Sequence, residues 1–494
     1  MTPALHDALA AGVTVITPNR RLARHLHREF DRRQHAAGRR AWPTAVLLPY
    51  SIWLETLWER YVDAGAADAP ARLLSLAQSA CLWQRVVADS SALLLDAVGA
   101  SRIAADAWAL LHGWGGGGES WRAWRRDGVE VDDAATFAAW AESYQRLLRN
   151  ADAIDSAQLP DLLAANAPRI ASESSQLVFV GFLEFSPQQE RLIAALVNAG
   201  GDVRRLEPIA MRPAAAIRTT APTPSDEWLA ALAWARELAR AQPHVRIGIV
   251  IEDLAQHREQ IIALADDVLC PERLLAGAHA ARKPFEVSLG SALADVPLVR
   301  CALDLLTIAS TGLATQDAAA LLRSPYVAGA ESGWVQRARV ERDWIEAGRR
   351  DATLADAIAA LRHRDVTLAA RWHAAGAALR TGATATPRQW TDQWRSWLVA
   401  AGWLEDIALD SAEYQARGAF DMLLAEFARL GVVSPTLERD AAVGLLRALV
   451  QERVFQPEGG DATIQLLGVL EGSGLSFDAI RGRTVHQPGP LLLG

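Results

Sequence analysis

Apolar positions along the chain fall into two patterns. Short, largely apolar runs, Val13–Thr17, Ala45–Leu48, Leu177–Gly181, Val203–Leu206, Ile247–Ile251 and Thr463–Leu470, read as buried parallel strands, although Arg204 and Arg205 interrupt one and Gln465 another. Most are followed by helix-start signals, the alternation that builds a parallel sheet flanked by helices. The clearest case follows Leu177–Gly181: Ser186 can cap a helix, Pro187 suits its first position, and Gln189 completes a capping box. The second pattern is helical. Ser51 to about Arg169 and Pro297 to about Arg453 are rich in alanine, leucine and tryptophan, with breaks at Gly113–Gly118 and near Gly329, Gly382 and Gly431.

Together these patterns predict an α/β chain of two parallel-sheet lobes, each carrying a large α-helical insertion. The expected division gives 1–50 and 170–215 to a first lobe, with 51–169 inserted. It gives 216–296 and 454–494 to a second, incomplete lobe, with 297–453 inserted. Pro208, Pro213, Pro222 and Pro224 mark a linker between the halves. A length of 494 residues corresponds to about three domain-sized units, and no fixed-period repeat is visible. Trp228 and Trp234, and Trp394 and Trp397, sit at helical spacing among alanine and leucine and read as packing residues. Base stacking is the alternative for a minority of the 18 tryptophans.

Composition narrows the chemistry. A formal charge of −8 argues against a globally basic nucleic-acid binder and leaves room for a local basic groove. Cys81, Cys270 and Cys301 are far apart with no CxxC, which excludes a disulfide scaffold and fits a reducing cytoplasm. No basic leader and no long uncharged apolar stretch appears, so neither a targeting nor a membrane segment is expected. Lys283 is the only lysine, and 49 of the 50 basic residues are arginine. A Walker A loop needs a lysine after a glycine run to reach the nucleotide phosphates. Lys283 stands in Ala-Arg-Lys-Pro instead, which also removes a (D/E)xK nuclease motif and a Ser-x-x-Lys hydrolase.

One stripe carries candidate chemistry. After the first strand, Asn19 is placed to cap a helix along which Arg20, Arg24, Arg28 and Arg32 recur every four residues, with Leu22, Leu26 and Phe30 on its apolar side. Guanidiniums in line at the end of a parallel strand suit phosphate contact; a solvated face in an arginine-rich protein is the alternative. Glu184 sits where a nucleotide hydrolase places a magnesium-binding carboxylate, but its neighbours are Leu183 and Phe185 rather than a second acid, so packing is favoured. Gly115–Gly118 has no Lys-Ser/Thr after it and reads as a flexible loop. The 11 histidines form no HExxH, and no G-x-S-x-G elbow is present, so no metal and no cofactor is expected.

Five segments occur in an order that resembles a known family: Thr17–Arg24, Val180–Gln189, Ser288–Pro297, Leu322–Tyr326 and Leu470–Asp478. Together they resemble the bacterial DNA-repair proteins related to the AddB subunit of helicase–nucleases. Those proteins carry a superfamily 1 helicase-like region, often degenerate, followed by a PD-(D/E)XK nuclease. The resemblance implies a pair of RecA-like lobes, with Glu184, Gln188, Ser473, Gly474 and Phe477 at degenerate helicase-motif positions. Departures from the pattern imply loss of ATP hydrolysis. The P-loop is absent, Glu252 and Asp253 follow the strand where active relatives have arginine, and Ser473-Gly-Leu-Ser-Phe477 replaces Lys-Gly-Leu-Glu-Phe.

After Ile480 the family continues through another buried strand. Here Arg481–Gly494 carries two prolines and is not expected to complete a core strand, which suggests a product truncated before its nuclease domain. The resulting expectation is a DNA-binding, helicase-like portion of a double-strand-break repair nuclease, without enzymatic activity of its own. Its partner would be single-stranded or end-containing DNA, with Asn19, Arg20, Arg24 and Arg28 as contacts across the carboxyl-end face of the lobes. A helicase–nuclease partner subunit is a further candidate. The alternative is a helical interaction scaffold of a repair complex that does not touch DNA.

Overall fold

The computed structural model describes residues 1–65, 70–90, 92–115, 132–170, 176–207, 217, 219–274, 283–379, 384–457, 462–472 and 474–482. Over these described residues the chain is mixed α/β and contains two four-stranded sheets, each parallel throughout. The first comprises β1 (Thr14–Thr17), β2 (Leu47–Pro49), β3 (Gln176–Val180) and β4 (Asp202–Leu206), in the order β2-β1-β3-β4. The second comprises β5 (Ile247–Val250), β6 (Phe285–Val287), β7 (Ile464–Leu467) and β8 (Ala479–Gly482), in the order β8-β5-β7-β6. All six runs named above contribute strands to these sheets, but Val203–Leu206, expected to be buried, belongs to the edge strand β4, whose residues are exposed or half-buried because Arg204 and Arg205 stand in it. Residues Ala479–Gly482 correct the expectation for the end of the described chain: Arg481 and Gly482 pair with Ile249 and Val250. They do so on an edge, where a glycine and an arginine are tolerated because only one side of the strand is bonded.

Alternation along β1 and β3 sends side chains to opposite faces of the first sheet. Val15, Val178 and Val180 meet Leu5 and Leu9 of α1 (Pro3–Ala10) and Leu22, Leu26 and Phe30 of α2 (Arg20–Ala36). The residues expected only to lead into the first strand are thus a helix, capped by the Thr2 hydroxyl. On the other face, Ile16, Leu177 and Phe179 meet α3 (Tyr50–Asp63) through Trp53, Leu54 and Leu57. The second sheet is covered on one face by α10 (Pro224–Ala241) and α11 (Leu254–Leu269), through Trp228, Leu232 and Ile261 against Ile247, Ile249, Ile464 and Leu466. Pro224 is the first residue of α10, with Thr223 as its cap, rather than part of a linker; Pro208 and Pro213 lie outside the described residues.

The other face of the second sheet turns toward the first. Leu467 and Leu475, with Phe477 packed beside them, share one core with Val15, Leu22 and Leu26. Helix α2 is therefore a layer between two sheets. Its apolar stripe has to serve both.

Between β2 and β3 run α4 (Leu76–Ala88), α5 (Ala97–Trp114), α6 (Asp132–Asn150), α7 (Leu159–Ala165) and α8 (Ala167–Ile170), and α9 (Pro187–Asn198) follows β3. Helices α7 and α8 join α3 on the first sheet. Helices α4, α5 and α6 instead share a core with the helices between β6 and β7, from Pro297–Ile308 to Arg439–Glu452. Trp83, Trp108 and Tyr144 from one insertion and Trp372, Trp390, Trp394 and Trp397 from the other are all buried in it. Gln78 on α4 donates to the Arg429 carbonyl at 3.0 Å, joining the two sets. At the neck of the second insertion, Ser291–Ala292 pairs antiparallel with Val454–Phe455. The neck is tight: a Cβ on Gly290 would lie 2.2 Å from the Phe455 carbonyl oxygen.

Candidate nucleic-acid interface

Strands β1 and β3 are neighbours whose chain continuations lead to opposite sides of the first sheet. Their carboxyl ends form the topological switch point where α/β proteins hold ligands. Here the crevice is filled by the chain itself. Gly181, at φ +79°, ends β3, and a Cβ on it would lie 2.2 Å from Leu22 Cδ2. The amino end of α2 is capped: Asn19 Oδ1 accepts from the Leu22 amide at 2.9 Å, and the Thr17 hydroxyl donates to the Asn19 carbonyl at 2.9 Å. One of the N-terminal amides that could face an anion, that of Leu22, is therefore already bonded. Asn19 acts in the structure as a helix cap.

The turn after β3 is aromatic. Phe182 and Phe185 stack at 4.7 Å, Phe179 packs edge-on against both, and the Arg205 guanidinium lies 4.3 Å from the Phe185 ring centre. Glu184 is exposed beside Leu183. Gln188 is buried and donates to the Ala157 carbonyl and to Asp161, each at 2.7 Å, tying α9 to α7. Lys283 is held by Asp266 at 2.7 Å and lies 5.2 Å from the Phe285 ring centre. Gly474 takes φ +74°, and Phe477 lies flat against Gly248, whose added Cβ would meet the ring at 3.0 Å. Ser473 lies outside the described residues, as do Gly116–Gly118.

The arginine stripe lies elsewhere, along the flank of α2 that faces the second sheet. Arg20, Arg21, Arg24, His25, Arg28 and Arg32 form one wall of a cleft of about 240 Å³. Arg246, Glu286, Val454, Gln456, Gln465 and Leu475 complete it from the second sheet and the neck of the helical segment between its strands β6 and β7. Arg20, Arg24 and Arg28 are exposed, and Arg21 is half-buried. Burial lowers the Arg21 pKa, and attraction to Glu286 and Glu471 opposes that. Among the described lining residues Glu286 is the one acid, against six arginines.

The second wall was invisible in the sequence because nothing there relates residue 24 to residue 246 or 465. Parallel pairing supplies the relation: Gln465 pairs with Glu286 and with Gly248, so the three lie side by side on the sheet face toward α2. Arg246, just before β5, donates to His25 Nδ1 at 3.2 Å, since a guanidinium can only donate. Its backbone amide donates to Asp478 at 2.8 Å and its guanidinium lies 5.6 Å from the Phe477 ring centre.

No protein-family model matches the chain, and no curated protein matches it. Among the described residues no helix is long and apolar enough to cross a membrane.

Proposed function

We propose that this chain is a non-hydrolysing, helicase-like protein of DNA double-strand-break repair that holds single-stranded DNA between two RecA-like lobes. The observation that carries the reading is the cleft with Arg20, Arg21, Arg24, Arg28 and Arg32 on one wall and Arg246 on the other. A narrow groove in which six arginines outweigh one acid attracts phosphates even on a protein of net negative charge. Arg20, Arg24 and Arg28 bind the backbone, and Asn19 positions them by starting the helix. The filled switch point, where Leu22 lies against Gly181, supports the absence of ATP turnover, as does the engagement of the sole lysine with Asp266.

Fluorescence anisotropy with a single-stranded oligonucleotide tests this reading against the interaction scaffold. Replacing Arg20, Arg24 and Arg28 by alanine is expected to abolish binding at moderate salt while leaving the melting transition cooperative. Undiminished binding by that variant, or no binding by the wild type at low salt, refutes the proposal. The second outcome favours the scaffold, built on the shared core of the two helical insertions.

A further inference from the structure

The cleft has two chemically different walls. The α2 wall is cationic, whereas the wall of the second sheet presents neutral and acidic hydrogen-bonding groups, Glu286, Gln465 and Gln456. Gln465 and Glu286 are paired residues on adjacent strands β7 and β6, so their side chains lie abreast on one face. Gln456 donates to Glu286 and to the Val287 carbonyl at 3.4 Å each, which fixes the carboxylate from the side. Two residues further along β7, the same face carries Leu467, wholly buried against the first lobe. Glu286 and Gln465 themselves are half-buried rather than sealed in the seam, so both side chains can be reached from the cleft.

Phosphate recognition alone does not account for this wall. A carboxylate here attracts Arg21 but also repels a phosphate backbone, so charge alone does not suit this wall to a polyanion. A carboxylate and an amide side by side do suit the edge of a nucleobase. Carboxylates accept from the exocyclic amino group of cytosine, and glutamine offers a donor and an acceptor together. The space of about 240 Å³ is below the roughly 300 Å³ at which small-ligand pockets begin. Contact with the Watson–Crick edge requires that the base be unpaired.

We infer that Glu286 and Gln465 form a base-recognition floor opposite the arginine wall, so that the cleft binds an unpaired, amino-bearing nucleotide rather than any polyanion. This rests on the proposed phosphate contacts, and the test separates the two. Anisotropy titrations compare an oligodeoxycytidine with an abasic strand of equal length, for the wild type, Glu286→Ala and Gln465→Ala. The wild type is expected to prefer the cytosine strand by about tenfold. Each substitution removes most of that preference, and Glu286→Ala leaves abasic binding equal or tighter. Gln465→Ala carries the test if Glu286→Ala does not fold. Equal wild-type affinity for both strands, or an unchanged cytosine preference in the variants, overturns the floor and leaves the phosphate contacts standing. No binding of either strand overturns both.

Discussion

His25 on α2 accepts a hydrogen bond from Arg246, just before strand β5 of the second sheet, with Nδ1 and the guanidinium nitrogen 3.2 Å apart. The bond requires a neutral imidazole, since a protonated ring has no lone pair and would place two cations in contact. Burial first, then Arg246, brings the His25 pKa down to about 4; Glu29 pulls the other way, while the amino terminus and Arg32 add to the lowering.

A stability change with pH follows. Between about pH 6.5 and 4 the unfolded chain binds a proton at residue 25 that the folded protein refuses, so stability falls as pH falls through this window and then levels off. The loss attributable to His25 is expected to be about 1–3 kcal/mol, a discount on the full shift for a side chain that is not wholly buried. Chemical denaturation of the wild type and of His25→Gln, which accepts the same bond without titrating, measures the difference. Parallel pH profiles for the two proteins would contradict it.

The close approach of Phe477 to Gly248 gives a steric prediction. A Cβ at residue 248 meets the ring at 3.0 Å, and the ring cannot withdraw freely because it packs in the seam between the sheets. Gly248→Val is expected to cost about 1–3 kcal/mol by overpacking and to lower the melting temperature by several degrees. An unchanged melting temperature would show that the seam is loose.

Asp155 is the buried acid on which three donors converge. The Trp108 indole donates at 2.9 Å, the Tyr144 hydroxyl at 3.0 Å and the Gln158 amide at 3.0 Å. Burial pushes the carboxyl pKa up, and the three hydrogen bonds oppose that. Asp155→Ala leaves two buried aromatic donors unsatisfied and is expected to cost about 2–4 kcal/mol, read from urea unfolding. Oligonucleotide affinity below the transition should not change, because the cluster lies in the helical region and lines no part of the cleft.

Lys283 supplies a contrasting case. Its pair with Asp266 is about one-third exposed on both sides, so Lys283→Met is expected to cost no more than about 1 kcal/mol. Neither its oligonucleotide affinity nor its melting temperature in the presence of ATP and magnesium should differ from the wild type beyond that. A nucleotide-dependent stabilisation lost in Lys283→Met would show that the lone ammonium serves a phosphate after all.

The strands and the first wall of the cleft were legible because they rest on local patterns. Val13–Thr17 and Leu177–Gly181 are apolar on both faces, and the four-residue recurrence of arginine from Arg20 is a property of one helix. Strand β6 was missed because Phe285–Val287 is three residues long with Glu286 at its centre, and β8 because an edge strand can carry Arg481 and Gly482. The second wall was illegible for a different reason. Arg246, Glu286 and Gln465 are brought together by the strand order β8-β5-β7-β6, which inserts β7 after a long helical excursion. No local pattern near residue 465 encodes its neighbour at 286. The union of the two insertions in one core, made through contacts such as Gln78 with Arg429, was hidden in the same way.

Counterion release reports directly on phosphates held by arginine. Single-stranded oligonucleotide affinity, measured by anisotropy across a range of salt concentrations, is expected to give a log–log slope near −2.8 if about four phosphates are neutralised, at roughly 0.7 each. In the Arg20, Arg24 and Arg28 triple alanine variant, folded by circular dichroism, the slope should shrink by about 2. A wild-type slope near zero, or the same slope in both proteins, would contradict the assignment of this cleft to the DNA backbone.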